Sequence, residues 1–185
     1  MQLVDSLRTA ARANRLANHR LQAALARLAP GELDAPRVSF FPSLLATLNH
    51  ILAVDGYYLA ALHRDPDMAL RWDAFVPAAS LADLAARQAA SDECLIRFVD
   101  ALDGAGCAAM IVLDRGESKL PERVAHVLAH LAMHQTHHRG QVHAMLAGTG
   151  VKPPQLDEFL MPSDAPLRRA ELAALGWTER DLFGA

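Results

Sequence analysis

Six of the nine histidines fall in one run, His126-Val-Leu-Ala-His130-Leu-Ala-Met-His134-Gln-Thr-His137-His138-Arg-Gly-Gln141-Val-His143. Four of them (126, 130, 134 and 138) are stepped four residues apart, one helical turn each. Imidazole is the commonest protein ligand for transition metals, and histidines at i and i+4 can hold one ion from one face of a helix. The hydrolytic His-Glu-x-x-His pattern is not present, because Gln135 follows His134 where that chemistry needs a glutamate.

Helical phase sorts the run. With His134 at zero and roughly 100° per residue, the apolar Val124, Val127, Leu131, Val142 and Met145 fall between about +20° and +80°, with Leu128 and Leu146 near +120°. His138 sits at about +40°, inside that stripe, and His134 lies on its border. His130, His137 and His126 recede to about −40°, −60° and −80°, and His143 points away. His134 and His138 are therefore the inward pair, with His130 in reserve. Two hydrogen-bonded core histidines would give the same pattern, so a metal site needs a third ligand from elsewhere. His50 stands at the edge of another apolar stripe and is a candidate.

The elements that must position these groups are helices. A first helix is expected over about residues 2–28, ended by Pro30-Gly31. A second follows Ser39-Phe-Phe-Pro42 and runs to about His63, and a connector with Trp72, Phe75 and Pro77 spans 64–79. A third opens at Ser80-Leu-Ala-Asp83 and ends near Asp103-Gly104. A short hairpin around Asp114-Arg-Gly116 is expected next. The fourth helix is expected to start at Pro121 and stop near Gly148, with tail helices over about 165–175 and 178–183. Asn14 and Asn18, Asp55, and Gln88 and Ser91 interrupt three of the apolar stripes at mid-length. Buried polar groups must be satisfied, so these predict either a polar pocket in the bundle or residues that fix helix register. Asp92 falls just off the third stripe and is expected to be solvated. Arg139, near +140°, is expected in a structural or dimer salt bridge, or on an anionic group.

Composition agrees with a helical bundle. The 185 residues are 52% hydrophobic and 21% charged, rich in the helix formers Ala and Leu. We expect one domain over 1–185, with the bundle over about 2–148 and the tail over about 151–185. The net charge of −3 gives no electrostatic footprint for nucleic acid. The absence of a signal-like start and of a long apolar run argues for a cytoplasmic protein that does not enter membranes. Cys94 and Cys107 make no disulfide framework, and no activating histidine motif surrounds either.

The segments Asn14-Arg-Leu-Ala-Asn18, Phe40-Phe-Pro-Ser43-Leu-Leu-Ala-Thr-Leu-Asn49-His50-Ile-Leu-Ala-Val-Asp55 and His130-Leu-Ala-Met-His134-Gln-Thr-His137-His138-Arg-Gly-Gln141 resemble the DinB (damage-inducible) family, over nearly the whole chain and in order. The resemblance implies an all-α four-helix bundle of up-down-down-up topology, usually a homodimer. It also implies a divalent metal held by His50, His134 and His138. Relatives in the wider superfamily are thiol-dependent enzymes, including bacillithiol S-transferases and mycothiol-dependent maleylpyruvate isomerase. The expected cofactors are thus a divalent transition metal (zinc, nickel or iron) and, for thiol transfer, a low-molecular-weight thiol acting on a small-molecule electrophile. Asn18, Asp55 and Gln141 are expected to line the pocket or orient the ligands. Two other readings stay open. One is a metal-dependent hydrolase with Asp55 or Asp92 as base; the other is a stress-response metal-binding protein that catalyses nothing.

Overall fold

Ser43 marks where the helix carrying His50 begins. Its backbone is extended, and its hydroxyl oxygen accepts from the Ala46 N–H at 3.1 Å. That hydrogen bond meets one of the donors a helix start leaves unpaired. Ser80 does the same for the third long helix, accepting from the Asp83 N–H. The computed structural model describes residues 3–157 and 161–183. In chain order the elements are α1 (Leu3–Leu25), α2 (Leu44–Leu62), α3 (Met68–Asp73), α4 (Leu81–Asp100) and α5 (Gly104–Ala108). These are followed by β1 (Met110–Asp114), β2 (Lys119–Arg123), α6 (Val124–Leu146), α7 (Ala165–Leu175) and α8 (Glu179–Leu182).

The four long helices close a ring. Both α1 and α2 pack against α4 and α6. Two apolar layers fill the interior. One joins Ala11, Val54, Tyr58, Leu95, Val99, Val127 and Leu131. The other joins Leu21, Leu25, Leu44, Leu48, Leu84, Val142 and Leu146. Between these layers, in the middle of every long helix, lie the buried polar residues Asn14, Asn18, Asp55, Gln88, Asp92, Gln135 and Arg139. The tail folds back on α1, where Arg20 grips Glu171 with two hydrogen bonds of 2.7 and 2.6 Å.

The expected helices are present with shifted ends. The first stops at Leu25 rather than 28, and its expected start at residue 2 lies outside the described residues, as do the extreme ends of the 1–185 span. The expected connector contains a short helix, α3. The expected hairpin forms, so the fold is a helical bundle with a two-stranded ribbon added. Pro121 does not start α6. It sits in β2 opposite Val112, and α6 begins at Val124. Each strand of a two-stranded ribbon has an open edge, where a residue without an N–H is tolerated. No described helix is long and apolar enough to cross a membrane.

Candidate metal centre

His50 on α2 and His134 and His138 on α6 come together, each offering a ring nitrogen within 4.8 Å of the other two. His50 Nε2 and His134 Nε2 are 3.0 Å apart. Three imidazole nitrogens around one zinc-like ion, each about 2.0–2.1 Å from it, stand roughly 3.3 Å from one another. The spacing therefore suits one shared ion. In the protein alone the pair can share a single proton, and His134 Nδ1 is buried with no hydrogen-bond partner in either tautomer. Phe41 covers the other side, its ring centroid 4.4 Å from His50 and 5.7 Å from His138.

The three rings are held neutral, as metal ligands must be. Burial, more than anything else, lowers the pKa of His134 to about 4, and the neighbouring His138 and His50 add to the effect. His50 is lowered by burial and then by His138. His138 is also lowered by burial, against a raising contribution from its hydrogen bond to Gln141. That bond is specific. His138 Nδ1–H donates to Gln141 Oε1 at 2.8 Å, which leaves Nε2 bare, and Gln141 Nε2 donates to His137 Nε2 at 3.2 Å. Three neutral imidazoles suit zinc, nickel or iron.

Behind the histidines lies the polar layer. Asp55 accepts from Gln88 Nε2 at 2.8 Å and from Gln135 Nε2 at 3.0 Å. Asp92 accepts from Asn14 and Asn18 Nδ2, both at 3.0 Å, and from Gln88 Nε2 at 3.1 Å. Arg139 donates to Asn14 Oδ1 and Asn18 Oδ1. Burial, helped by the nearby Asp92 charge, pushes the Asp55 carboxyl up to about 7. Burial likewise raises Asp92 to about 6, against the amide hydrogen bonds that favour its charged form. Through these residues all four long helices contribute to one network.

Several expectations change here. Asp92 is 1% exposed rather than solvated, because the buried stripe of α4 runs Leu84-Gln88-Asp92-Leu95, and Ser91, expected inward, is only half-buried. Arg139 makes its contacts inside the bundle, on the Asn14 and Asn18 amide oxygens. The buried arc of α6 takes in Leu128 and Leu146, near +120°, and with them Gln135 at about +100° and Arg139 at about +140°. Of the expected orienting residues, only Gln141 bonds a histidine of the cluster. Asn18 and Asp55 belong to the network behind it. His130 is exposed, lining a neighbouring cavity rather than joining the cluster. Cys94 does have a histidine beside it, His63 Nε2 at 3.4 Å, brought there by the packing of α2 on α4, while Cys107 is buried.

That cavity, of about 470 Å3, opens beside His134. Its walls include His130, Tyr57, Tyr58, Trp72 and Arg115. A three-histidine cluster next to an open cavity, inside a helical bundle, defines a class of protein that could hold a metal ion with positions left for a guest. The DinB family model matches residues 3–170, nearly the whole chain, and the chain belongs to the DinB family. A comparison with curated proteins gives no match.

Proposed function

We propose that the protein is a metal-dependent thiol transferase acting on a small electrophile, with His50, His134 and His138 as the metal ligands. The observation that carries this reading is the convergence of three neutral imidazoles at an edge where His134 also borders a cavity. A bound divalent ion would take up a thiol sulfur and lower its pKa from about 8.5, supplying thiolate at neutral pH. The residues of the chain do the rest. Gln141 fixes the tautomer of His138, Phe41 shields the cluster from water, and the cavity holds the electrophile. In the transfer the sulfur forms a bond to the electrophilic carbon. Either the bond from that carbon to a leaving group breaks and the group departs with its electron pair and the thiol proton, or the π bond of an activated double bond breaks and its electron pair takes up that proton.

The hydrolase reading finds less support. Asp55 and Asp92, its expected bases, are each 1% exposed, with their oxygens committed to amide donors. Residue pairs such as Asn18 with Asp92, Arg12 with Asp100, Asp55 with Gln88 and Tyr58 with His130 set the relative directions of the helices. We read them as the up-down-down-up order, in one domain that includes the tail. We further take the protein to work as a homodimer in the cytoplasm, where two free cysteines are stable.

The test loads purified protein with zinc, nickel or iron and adds a panel of cellular thiols with model electrophiles. Metal-dependent conjugation is expected, lost in His134→Ala, with about one ion per chain by elemental analysis. Full metal retention by His50→Ala, His134→Ala and His138→Ala would refute the site. Metal binding without conjugation of any electrophile in the panel would refute the reaction and leave the third reading, a non-catalytic metal-binding protein.

A further inference from the structure

The cavity beside His134 has an aromatic wall in which Tyr58 also belongs to the bundle core and His134 to the histidine cluster, while Trp72 and His130 belong to neither. The rings of Trp72, Tyr57, Tyr58 and His130 follow one another edge to face. Their centroids are 5.9 Å apart from Trp72 to Tyr57, 5.2 Å from Tyr57 to Tyr58 and 5.3 Å from Tyr58 to His130. The run ends at His134, 6.4 Å from His130. All five side chains line the same space.

The wall is assembled from three elements. Tyr57 and Tyr58 come from α2, His130 and His134 from α6, and Trp72 from the short helix α3. The Tyr57 hydroxyl donates to the Asp114 carbonyl at 2.9 Å, which fixes its ring against the hairpin. The hairpin turn is held by Asp114 Oδ1 accepting from the N–H of Gly116, whose φ of +77° suits glycine. Trp72 is 45% exposed, a large apolar face left to water at the cavity rim. The lining makes no net demand for a charged guest. Arg115 and Asp73 oppose each other in sign, and the Asp114 carboxylate is met by Lys119 as well as by the turn.

Aromatic rings set edge to face present both π faces and polarised C–H edges, which favour flat unsaturated guests over saturated ones of the same size. A volume of about 470 Å3 is that of a small-molecule site. We propose that this cavity binds a neutral, flat, unsaturated small molecule, and that such a molecule is the electrophile class of the enzyme. The second half rests on the thiol-transfer reading; the first half does not.

Binding is therefore measured on the metal-free full chain, without thiol, by calorimetry with 2-naphthol and with its saturated counterpart decahydro-2-naphthol. The expected result is about tenfold tighter binding of 2-naphthol, the size of effect that one or two ring–ring contacts supply. Trp72→Leu, at a half-exposed position, is expected to remove most of that preference while circular dichroism and melting stay unchanged. In the wild type, the indole resonances of Trp72 are expected to shift with 2-naphthol and not with the saturated alcohol. Equal affinity for the two compounds, no binding of either, or a preference unmoved in Trp72→Leu would overturn the proposal. Because metal and thiol are absent, these failures are distinct from a failure of conjugation. With the holoenzyme, conjugation of saturated electrophiles as fast as of aromatic or conjugated ones would overturn the second half alone.

Discussion

Gln141 is the residue through which the three-histidine cluster is tied to its own helix. Its carbonyl oxygen takes the His138 Nδ1 proton and so aims Nε2 at the other two rings. Outer hydrogen bonds of this kind typically matter 10–100-fold in metal affinity. Gln141→Ala is therefore expected to weaken metal binding by about that range in a competitive chelator titration, while Gln141→Glu, which keeps an acceptor, retains most of it. Unchanged affinity in Gln141→Ala would mean that the bond has no part in ligand orientation. The sequence made His134 and His138 legible because two groups on one helix are related by its period alone. His50 was less so, since joining it to the pair requires knowing how α2 meets α6, and periodicity within either helix does not contain that. Gln135 and Arg139 were missed as interior groups for another reason. The far edge of the α6 arc is marked only by Leu128 and Leu146, near +120°, and it is the packing of α2 against Gln135 and of α1 against Arg139 that makes this edge interior.

At the scale of elements, α2 and α4 carry their own start chemistry. Ser80 caps α4, as the Ser80-Leu-Ala-Asp83 pattern led one to expect, and Ser43, directly after Pro42, caps α2. Ser43 does two things, accepting from Ala46 N–H and donating its hydroxyl to Asp34 Oδ1 at 3.0 Å. Ser43→Ala is expected to cost about 1 kcal/mol of stability. Urea denaturation checks this as a lower midpoint at unchanged slope; an unchanged midpoint would show that the cap contributes nothing. Where element boundaries were misread, a local signal was overruled by pairing. Proline at position 121 is a good first residue of a helix, but β1 recruits residues 119–123 into a ribbon, and α6 waits until Val124. The helix α3 was not foreseen because six residues between breakers carry too little periodicity to register, although Trp72 within it shapes the cavity.

Across the whole molecule, the polar layer between the two apolar layers makes stability depend on pH. Asp55 is the clearest contributor. It is faced by Gln88 and Asp92 of α4 and by Gln135 and Arg139 of α6, with Arg15 of α1 near Asp92. Burial first, and the Asp92 charge second, raise its carboxyl from 3.8 to about 7. A carboxyl whose folded pKa is raised binds its proton more tightly in the folded state, so between these two values the folded state holds more protons than the unfolded one. Stability from this group is fully present below the unfolded value and is lost as pH rises through the folded value. The buried histidines work in the opposite sense. The folded pKa values of His50, His134 and His138 are all lowered, that of His134 to about 4, so the His134 contribution rises with pH from about 4 toward 6.5. A wild-type stability profile alone therefore mixes two slopes. The difference between wild type and Asp55→Asn isolates the carboxylate, because the histidines are common to both. Relative to that variant, the wild type is expected to lose stability steadily between pH 4 and pH 7 and to level off above, measured by urea denaturation of metal-free protein at several pH values. A difference that is flat across this range, or that grows in favour of the wild type as pH rises, would show that Asp55 is charged throughout and that the amides of Gln88 and Gln135 outweigh its burial.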